Sequence, residues 1–186
     1  MSDIIRFNTE TQAFTGYQMC SGYGLGAMIK DMVNPVGLEI GCDIGDTSNF
    51  LLDSNPTLNL TSVDPYTTYV DWNGNHLSGR EEMYQGVVRR MAGYSNRFTL
   101  VRRTSDDAVE LFEDDTFDII FIDGLHTYEQ LTKDCVNYYS KLKFGGIFAG
   151  HDFSAIEGVD RAAKEFASKV NKDILLTEKD VWYWIK

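Results

Sequence analysis

The sequence predicts an α/β fold: a seven-stranded, mostly parallel sheet with an antiparallel last strand and helices on both faces. Three observations predict it. Short apolar runs alternate with stretches of helical spacing, as consecutive strand–helix steps require. Three of these runs stop at Gly or Asp, in "LEIGCDIGD", "SVDPY" and "FIDGLH". The last two runs are joined only by "TEKD", too short for a crossover, so they pair antiparallel.

The elements follow in order. Leu25, Met28, Ile29, Met32 and Val33 recur at helical spacing and predict a helix over 22–33, stopped by Asn34-Pro35. Val36 to Ile40 reads as the first strand, followed by a glycine turn and a helix over 47–53. Asn59 to Val63 is the second strand, ending at Asp64-Pro65. Residues 66–79 are irregular, and Ser78-Gly79-Arg80-Glu81 matches a capping box for a helix bearing Met83, Val87 and Met91. Phe98 to Val101 is the third strand, and Ser105 caps a short helix through Phe112. Ile119 to Ile122 is the fourth strand. The next helix carries Leu131, Cys135, Tyr138 and Leu142 and is broken by Gly145-Gly146, with Ile147 to Ala149 as the fifth strand. Val159, Ala162, Ala163, Phe166 and Val170 mark another amphipathic helix. Ile174 to Leu176 and Val181 to Ile185 close the sheet.

The chain has 186 residues, the length of one domain, with an N-terminal helical segment over 1–34 and the core over 35–186. No apolar run approaches the ~20 residues of a membrane span. The N-terminus lacks the charged start and apolar core of a signal peptide, which leads to the expectation of a cytoplasmic protein. Cys20, Cys42 and Cys135 are scattered and odd in number, and read as small buried hydrophobes rather than a zinc site or disulfide set. A net charge of −11 repels a phosphate backbone, so general nucleic-acid binding is not expected. Six of the 17 basic residues, all arginine, fall between Arg80 and Arg103. They read as a solvated helix face or, alternatively, an anion-accepting rim.

The first candidate site is "LEIGCDIGDTS". Gly41 and Gly45 bracket a turn into a helix whose free N–H groups face a ligand. Asp64, at the next strand tip, is placed to accept ribose hydroxyls. The pattern is not G-x-G-x-x-G, because Asp43 stands at the middle glycine. With Glu39, Asp43 and Asp46 nearby, the site suits a cationic or zwitterionic ligand such as S-adenosylmethionine better than a pyrophosphate. A nicotinamide dehydrogenase is disfavoured for the same reason.

The second candidate is formed by "FIDGLHTYE" and "FAGHDF". Both end predicted neighbouring strands, which brings Asp123, His126, His151 and Asp152 to one crevice. Three readings stand side by side: a divalent metal centre, general-base catalysis by His126 or His151 oriented by Asp123 or Asp152, and a plain Asp-Gly turn with a capped helix. A histidine ligand suits Mn²⁺, Fe²⁺ or Zn²⁺ better than Mg²⁺.

The pieces "LEIGCDIGDTS", "SVDPY", "TSDDAVELF", "FDIIFIDGLHTYE" and "FGGIFAGHDF" together resemble a class I S-adenosylmethionine-dependent methyltransferase, closest to methyltransferase family 24 and similar to macrocin-type sugar O-methyltransferases. The resemblance implies a Rossmann-like methyltransferase fold. It implies that Glu39, Gly41 and Gly45 line the methionine part of the cofactor, that Asp64 binds the ribose, that Thr104 and Ser105 lie near the adenine, and that Asp123 faces the methyl group. Similarity to catechol O-methyltransferase-like enzymes implies a metal set of Asp123, His151 and Asp152. The expected activity is methylation of a small-molecule hydroxyl, sugar or natural-product-like; a non-catalytic cofactor-binding relative is the alternative. Acceptor contacts are expected from residues 12–24 and 66–80, with Tyr17, Tyr23, Tyr69, Trp72 and His76 as stacking candidates. The terminal "VWYWI" suggests a homodimer surface.

Overall fold

A computed structural model describes residues 4–6 and 21–186. Its main sheet contains, in chain order, β1 (Ile4–Arg6), β2 (Val36–Ile40), β3 (Asn59–Val63), β6 (Phe98–Val101), β7 (Phe117–Ile122), β8 (Leu142–Gly150), β9 (Leu175–Thr177) and β10 (Val181–Ile185). A separate hairpin is made by β4 (Tyr69–Val70) and β5 (His76–Leu77). The helices are α1 (Tyr23–Ile29), α2 (Asp46–Ser54), α3 (Arg80–Met91), α4 (Ser105–Ala108), α5 (Tyr128–Tyr139) and α6 (Glu157–Lys169). The main sheet runs β1-β6-β3-β2-β7-β8-β10-β9. Strands β6, β3, β2, β7 and β8 are parallel, while β10 runs antiparallel to both β8 and β9. The seven expected strands are present. The eighth, β1, pairs antiparallel with β6 at the edge, within the segment expected to be helical.

Alternation along the central strands decides which face each helix covers. In β7, Ile119 and Phe121 face a cluster with Leu25, Ile29, Leu51, Leu52, Val87 and Met91 from α1, α2 and α3. Ile120 and Ile122 face the other cluster, with Leu131, Cys135, Tyr138, Ala162, Ala163 and Phe166 from α5 and α6. These strands are buried on both sides, which is why they read as continuous apolar runs.

The terminal strand spends its aromatics inward. Trp182 and Trp184 are 0% and 1% exposed, stacked at 5.3 Å and packed on Phe148 and Phe166. Such side chains bury roughly 150–250 Å² each. Trp182 and Trp184 of the "VWYWI" stretch therefore belong to the core, and the strand that carries them is held between β8 and β9. Cys42 and Cys135 are buried as expected; Cys20 lies outside the described residues. No helix among the described residues is long and apolar enough to cross a membrane.

Four local expectations change. Helix α1 stops at Ile29, with Met32 and Val33 beyond it. The capping box at Ser78 does not form: Gly79, at φ 72°, is the N-cap, and the Glu81 carboxylate pairs with Gln85 and Arg102 instead. Thr104 rather than Ser105 caps α4, accepting from the Asp107 N–H. Gly145-Gly146 does not break a helix; α5 ends at Tyr139, and both glycines lie inside the long β8, Gly145 at φ 79°. A glycine pair at a register irregularity resembles a helix stop in sequence, because both need positive φ.

The central strand tips meet at Gly41. Its φ is 93°, and a Cβ built there would lie 2.0 Å from the Asp123 carbonyl oxygen. Gly74 has a similar φ of 82° but open space around it. Replacing Gly74 by Ala is expected to cost about 1–2 kcal/mol for the left-handed backbone. Gly41→Ala is expected to cost that plus about 1–3 kcal/mol for the backbone clash. Urea unfolding of the two variants measures the difference; equal losses would show that the tips do not need to touch.

Candidate active site

The carboxyl ends of β2, β3, β6 and β7 open into one cavity of about 790 Å³. Its lining includes Gly41, Asp43, Asp64, Thr104, Ser105, Asp123 and His126. Topology explains the convergence: the chain leaves β2 for β3 and β6 on one side and returns to β7 and β8 on the other, so a crevice opens where the direction reverses.

The loop after β2 is organised by Asp64. Its carboxylate accepts from the N–H groups of Cys42 (3.2 Å), Asp43 (3.0 Å) and Tyr66 (2.9 Å). Arg80 reaches across from α3, 3.8 Å from Asp64 and 3.1 Å from Asp43, between the rings of Tyr66 and Tyr69. Burial pushes the Asp64 carboxyl upward, opposed by the N–H donors and the guanidinium. Asp43 and Tyr66 hold positive φ of 46° and 48°, and the Tyr66 hydroxyl donates to the Asp43 carbonyl at 3.0 Å. Arg80 was legible only as part of an arginine-rich segment. The tertiary structure turns it into the buried counter-charge of the loop. Its neighbours in sequence serve elsewhere: Arg90 pairs with Asp46, Arg97 donates to carbonyls of Leu52, Asn55 and Leu58, and Arg102 pairs with Glu81 and covers the Tyr84 ring. Four of the six arginines thus have partners within the fold, and of these Arg80 lines the cavity.

Glu39 and Gly45 are not part of the lining. Gly45, at φ 81°, is the N-cap of α2. Glu39 lies beneath the loop, fully buried, and accepts from Ser48 Oγ and from Ser62 Oγ (2.5 Å), while its Oε1 is unpartnered. Burial pushes its carboxyl up to about 8, against the two hydroxyl donors and with help from Asp123 and Asp64.

The tips of β7 and β8 bring the second group together. Asp123 accepts from Ser21 Oγ at 2.8 Å and stands 3.1 Å from His126 Nε2. His126 Nε2 is also 3.1 Å from Asp152, and its ring meets Trp72 edge-on at 4.9 Å. His151 Nδ1 lies 3.1 Å from Asp152 and 3.6 Å from Asp123, and its Nε2 donates to the Lys179 carbonyl at 2.8 Å. Burial raises the Asp123 carboxyl, but hydrogen bonds from both histidines and their charge outweigh it and hold it well below the usual range. Burial lowers His151, but Asp123 and Asp152 outweigh it and lift the ring to about 10. With Nε2 engaged by the Lys179 carbonyl, Nδ1 is the His151 nitrogen that faces the Asp123 and Asp152 carboxylates. Among the described residues, Asp123, His126 and Asp152 form a group that could hold a metal ion, with ligand atoms within 4.8 Å of one another.

Of the expected acceptor contacts, Tyr69 and Trp72 line the cavity. Tyr23 stacks on Phe50 at 5.6 Å, and His76 is exposed on β5. Tyr17 and the rest of 12–20 lie outside the described residues. Gln130 and Asp134, on α5, also line the cavity and went unnoticed in sequence, where they read as ordinary helix positions.

Glu39 yields a pH prediction. A carboxyl whose folded pKa exceeds its unfolded value contributes stability fully present below the unfolded pKa and lost as pH rises through the folded one. The window here runs from the ordinary 4.5 to about 8. Glu39→Gln keeps an acceptor for both hydroxyls and carries no charge. The wild type is expected to lose stability relative to this variant across that window, measured by denaturant unfolding at several pH values. Parallel curves would refute a protonated Glu39.

Residues 38–153 match methyltransferase family 24, a methyltransferase-domain family. An uncharacterised protein of Sinorhizobium fredii, y4gI, is 30% identical over 83 residues, which are 44% of this chain and 9% of that protein. The chain thus spans a small part of the length of that curated relative. Among solved structures, a putative caffeoyl-CoA O-methyltransferase from Staphylococcus aureus superposes with a TM-score of 0.60 at 19% identity, covering 87% of this chain and 82% of that one. The O-methyltransferase NovP gives 0.64 at 17% identity, over 91% of this chain and 77% of that one. A precorrin-6y C5,15-methyltransferase from Geobacter metallireducens gives 0.65 at 12%, over 94% and 95%. At these identities the likeness to solved structures is one of fold. The family match over the strand tips, with the cavity they enclose, identifies the chain as a member of this methyltransferase-domain family.

Proposed function

We propose that the protein transfers a methyl group from S-adenosylmethionine to a hydroxyl of a small-molecule acceptor, sugar or natural-product-like. The observation that carries this reading is the Asp123–His126–Asp152 cluster at the cavity that also holds Gly41 and Asp64. Two of the fold relatives are named as O-methyltransferases, which agrees with it. Among the described residues the lining carries seven aspartates, including Asp46, Asp71 and Asp106, against Arg80 as the only arginine or lysine. This field disfavours acceptors that bear phosphates. Trp72, Leu77 and Leu125 offer an apolar wall beside His126.

Methyl transfer is an in-line displacement at a carbon already activated by the sulfonium, so the chain must align the acceptor and remove its proton. Asp64 would accept the ribose hydroxyls while it keeps the loop N–H groups satisfied. With His126 Nε2 donating to Asp123 and Asp152, Nδ1 is the nitrogen left to take the acceptor proton. The two carboxylates would stabilise the imidazolium that forms.

The same cluster favours a second reading. Two carboxylate oxygens and one imidazole nitrogen within 4.8 Å fit a divalent cation, held by Asp123, His126 and Asp152, and the mixed donor set suits Mn²⁺, Fe²⁺ or Zn²⁺ better than Mg²⁺. When bound, such an ion lowers the pKa of an acceptor hydroxyl.

Asp64→Ala is expected to weaken S-adenosylhomocysteine binding by roughly 10-fold or more in calorimetry, through lost ribose bonds and three unsatisfied N–H groups. Wild-type affinity would remove Asp64 from the cofactor site. Asp123→Ala is expected to leave that affinity within about 3-fold, yet cut turnover at least ~100-fold. Turnover is read as S-adenosylhomocysteine released across a panel of hydroxylated acceptors. Undiminished turnover would place the chemistry elsewhere. Metal analysis and chelation separate the two readings: activity unaffected by a chelator favours His126 alone, and activity restored by Mn²⁺ favours the cation.

A further inference from the structure

The turn between β9 and β10 is built from disfavoured backbone. Lys179 and Asp180 hold positive φ of 62° and 61°, which residues with a side chain keep only when their surroundings enforce it. Asp152, in the loop after β8, holds the same conformation at 58°. The two segments meet at Asp180. Phe153 donates its N–H to the Asp180 carbonyl at 3.4 Å, Ser154 to both carboxylate oxygens at 2.9 and 2.8 Å, and Ala155 to Oδ2 at 3.1 Å. Successive N–H groups aimed at one point make a concavity for an anion, and here the chain fills it with its own carboxylate. One residue earlier, the Lys179 carbonyl accepts from His151 Nε2 at 2.8 Å. Helix α1 backs the turn: a Cβ on Gly24 would lie 2.4 Å from Thr177 Oγ1.

Asp152 lies between these anchors. On one flank His151 is tied to Lys179, and on the other Phe153, Ser154 and Ala155 are tied to Asp180. The Asp152 carboxylate meets His126 Nε2 at 3.1 Å. Residues 178–180 are not among those that line the cavity, so any effect they have on the reaction passes through this loop. We propose that Asp180 is a positioning residue for methyl transfer: it fixes the backbone after β8 so that the Asp152 carboxylate stays on His126. Without that anchor, Asp152 is free to relax from its left-handed conformation, which carries its carboxylate away from the imidazole. The inference rests on His126 as the group that serves the acceptor, whether as base or as ligand of a cation. It adds what holds the partner of His126 in place.

The test uses Asp180→Gly in the full chain, which removes the carboxylate without placing another side chain at positive φ. Amide hydrogen exchange at Phe153, Ser154 and Ala155 is expected to speed up about 10-fold or more. The imidazole nitrogen resonances of His126, read by NMR, are expected to shift as Asp152 leaves Nε2. S-adenosylhomocysteine affinity is expected to stay within about 3-fold of wild type by calorimetry. Over the same panel of hydroxylated acceptors, kcat is expected to fall roughly 10-fold or more, with KM within about 3-fold. Asp180→Asn keeps one acceptor oxygen and tolerates the left-handed backbone, so it is expected to show smaller changes of the same kind. Should Asp180→Gly not fold, Asp180→Asn carries the test. A turn that serves stability alone would lose exchange protection and unfold at lower denaturant, yet leave the His126 resonances and kcat as in wild type. That result, in whichever variant folds, overturns the proposal. Wild type that releases no S-adenosylhomocysteine with any acceptor would instead overturn the proposed reaction, while the His126 resonances still decide whether Asp180 positions Asp152.

Discussion

The site depends on the contact between the tips of β2 and β7. The Asp123 N–H donates to the Ile40 carbonyl at 2.7 Å, and the Gly41 N–H donates to the Val63 carbonyl at 2.8 Å. Only a residue without Cβ fits between them, because the Asp123 carbonyl occupies the space. This closure joins the half of the sheet that leaves β2 to the half that returns. It puts the glycine loop and the acidic tip of β7 on one cavity, and everything chemical is built on either side of it.

On one side the arrangement is electrostatic. Asp64 uses its oxygens on three backbone N–H groups, and Arg80 compensates its charge together with that of Asp43. A carboxylate in place of the usual middle glycine is thereby neutralised by a side chain 37 residues away. Beneath it, Glu39 is buried among hydroxyls and held largely neutral, so the floor adds less negative charge than a formal count suggests.

On the other side, two histidines and two aspartates divide the work by the partners they face. His151 is held by the Lys179 carbonyl through Nε2 and faces Asp152 and Asp123 through Nδ1, and both histidines hold the Asp123 carboxyl below its usual range. His126, with one nitrogen between carboxylates and Trp72 against its ring, is the histidine turned to the cavity. Asp152 takes the strained positive φ of 58° that brings its carboxylate into the cluster.

By itself, the sequence determined the order of strands and helices, the antiparallel ending, the glycine loop, Asp64, and the convergence of "FIDGLH" with "FAGHDF". These are legible because apolar period and turn residues act locally, and because parallel strands place their tips on one edge. Only the tertiary structure decided that His126 lines the cavity while His151 Nε2 is engaged by the Lys179 carbonyl, 28 residues away in the chain. It also turned the terminal tryptophans into core, assigned Arg80 to the loop, and drew Gln130 and Asp134 to the cavity. Each of these follows from partners far apart in sequence, and burial, not residue type, set what the side chain can do.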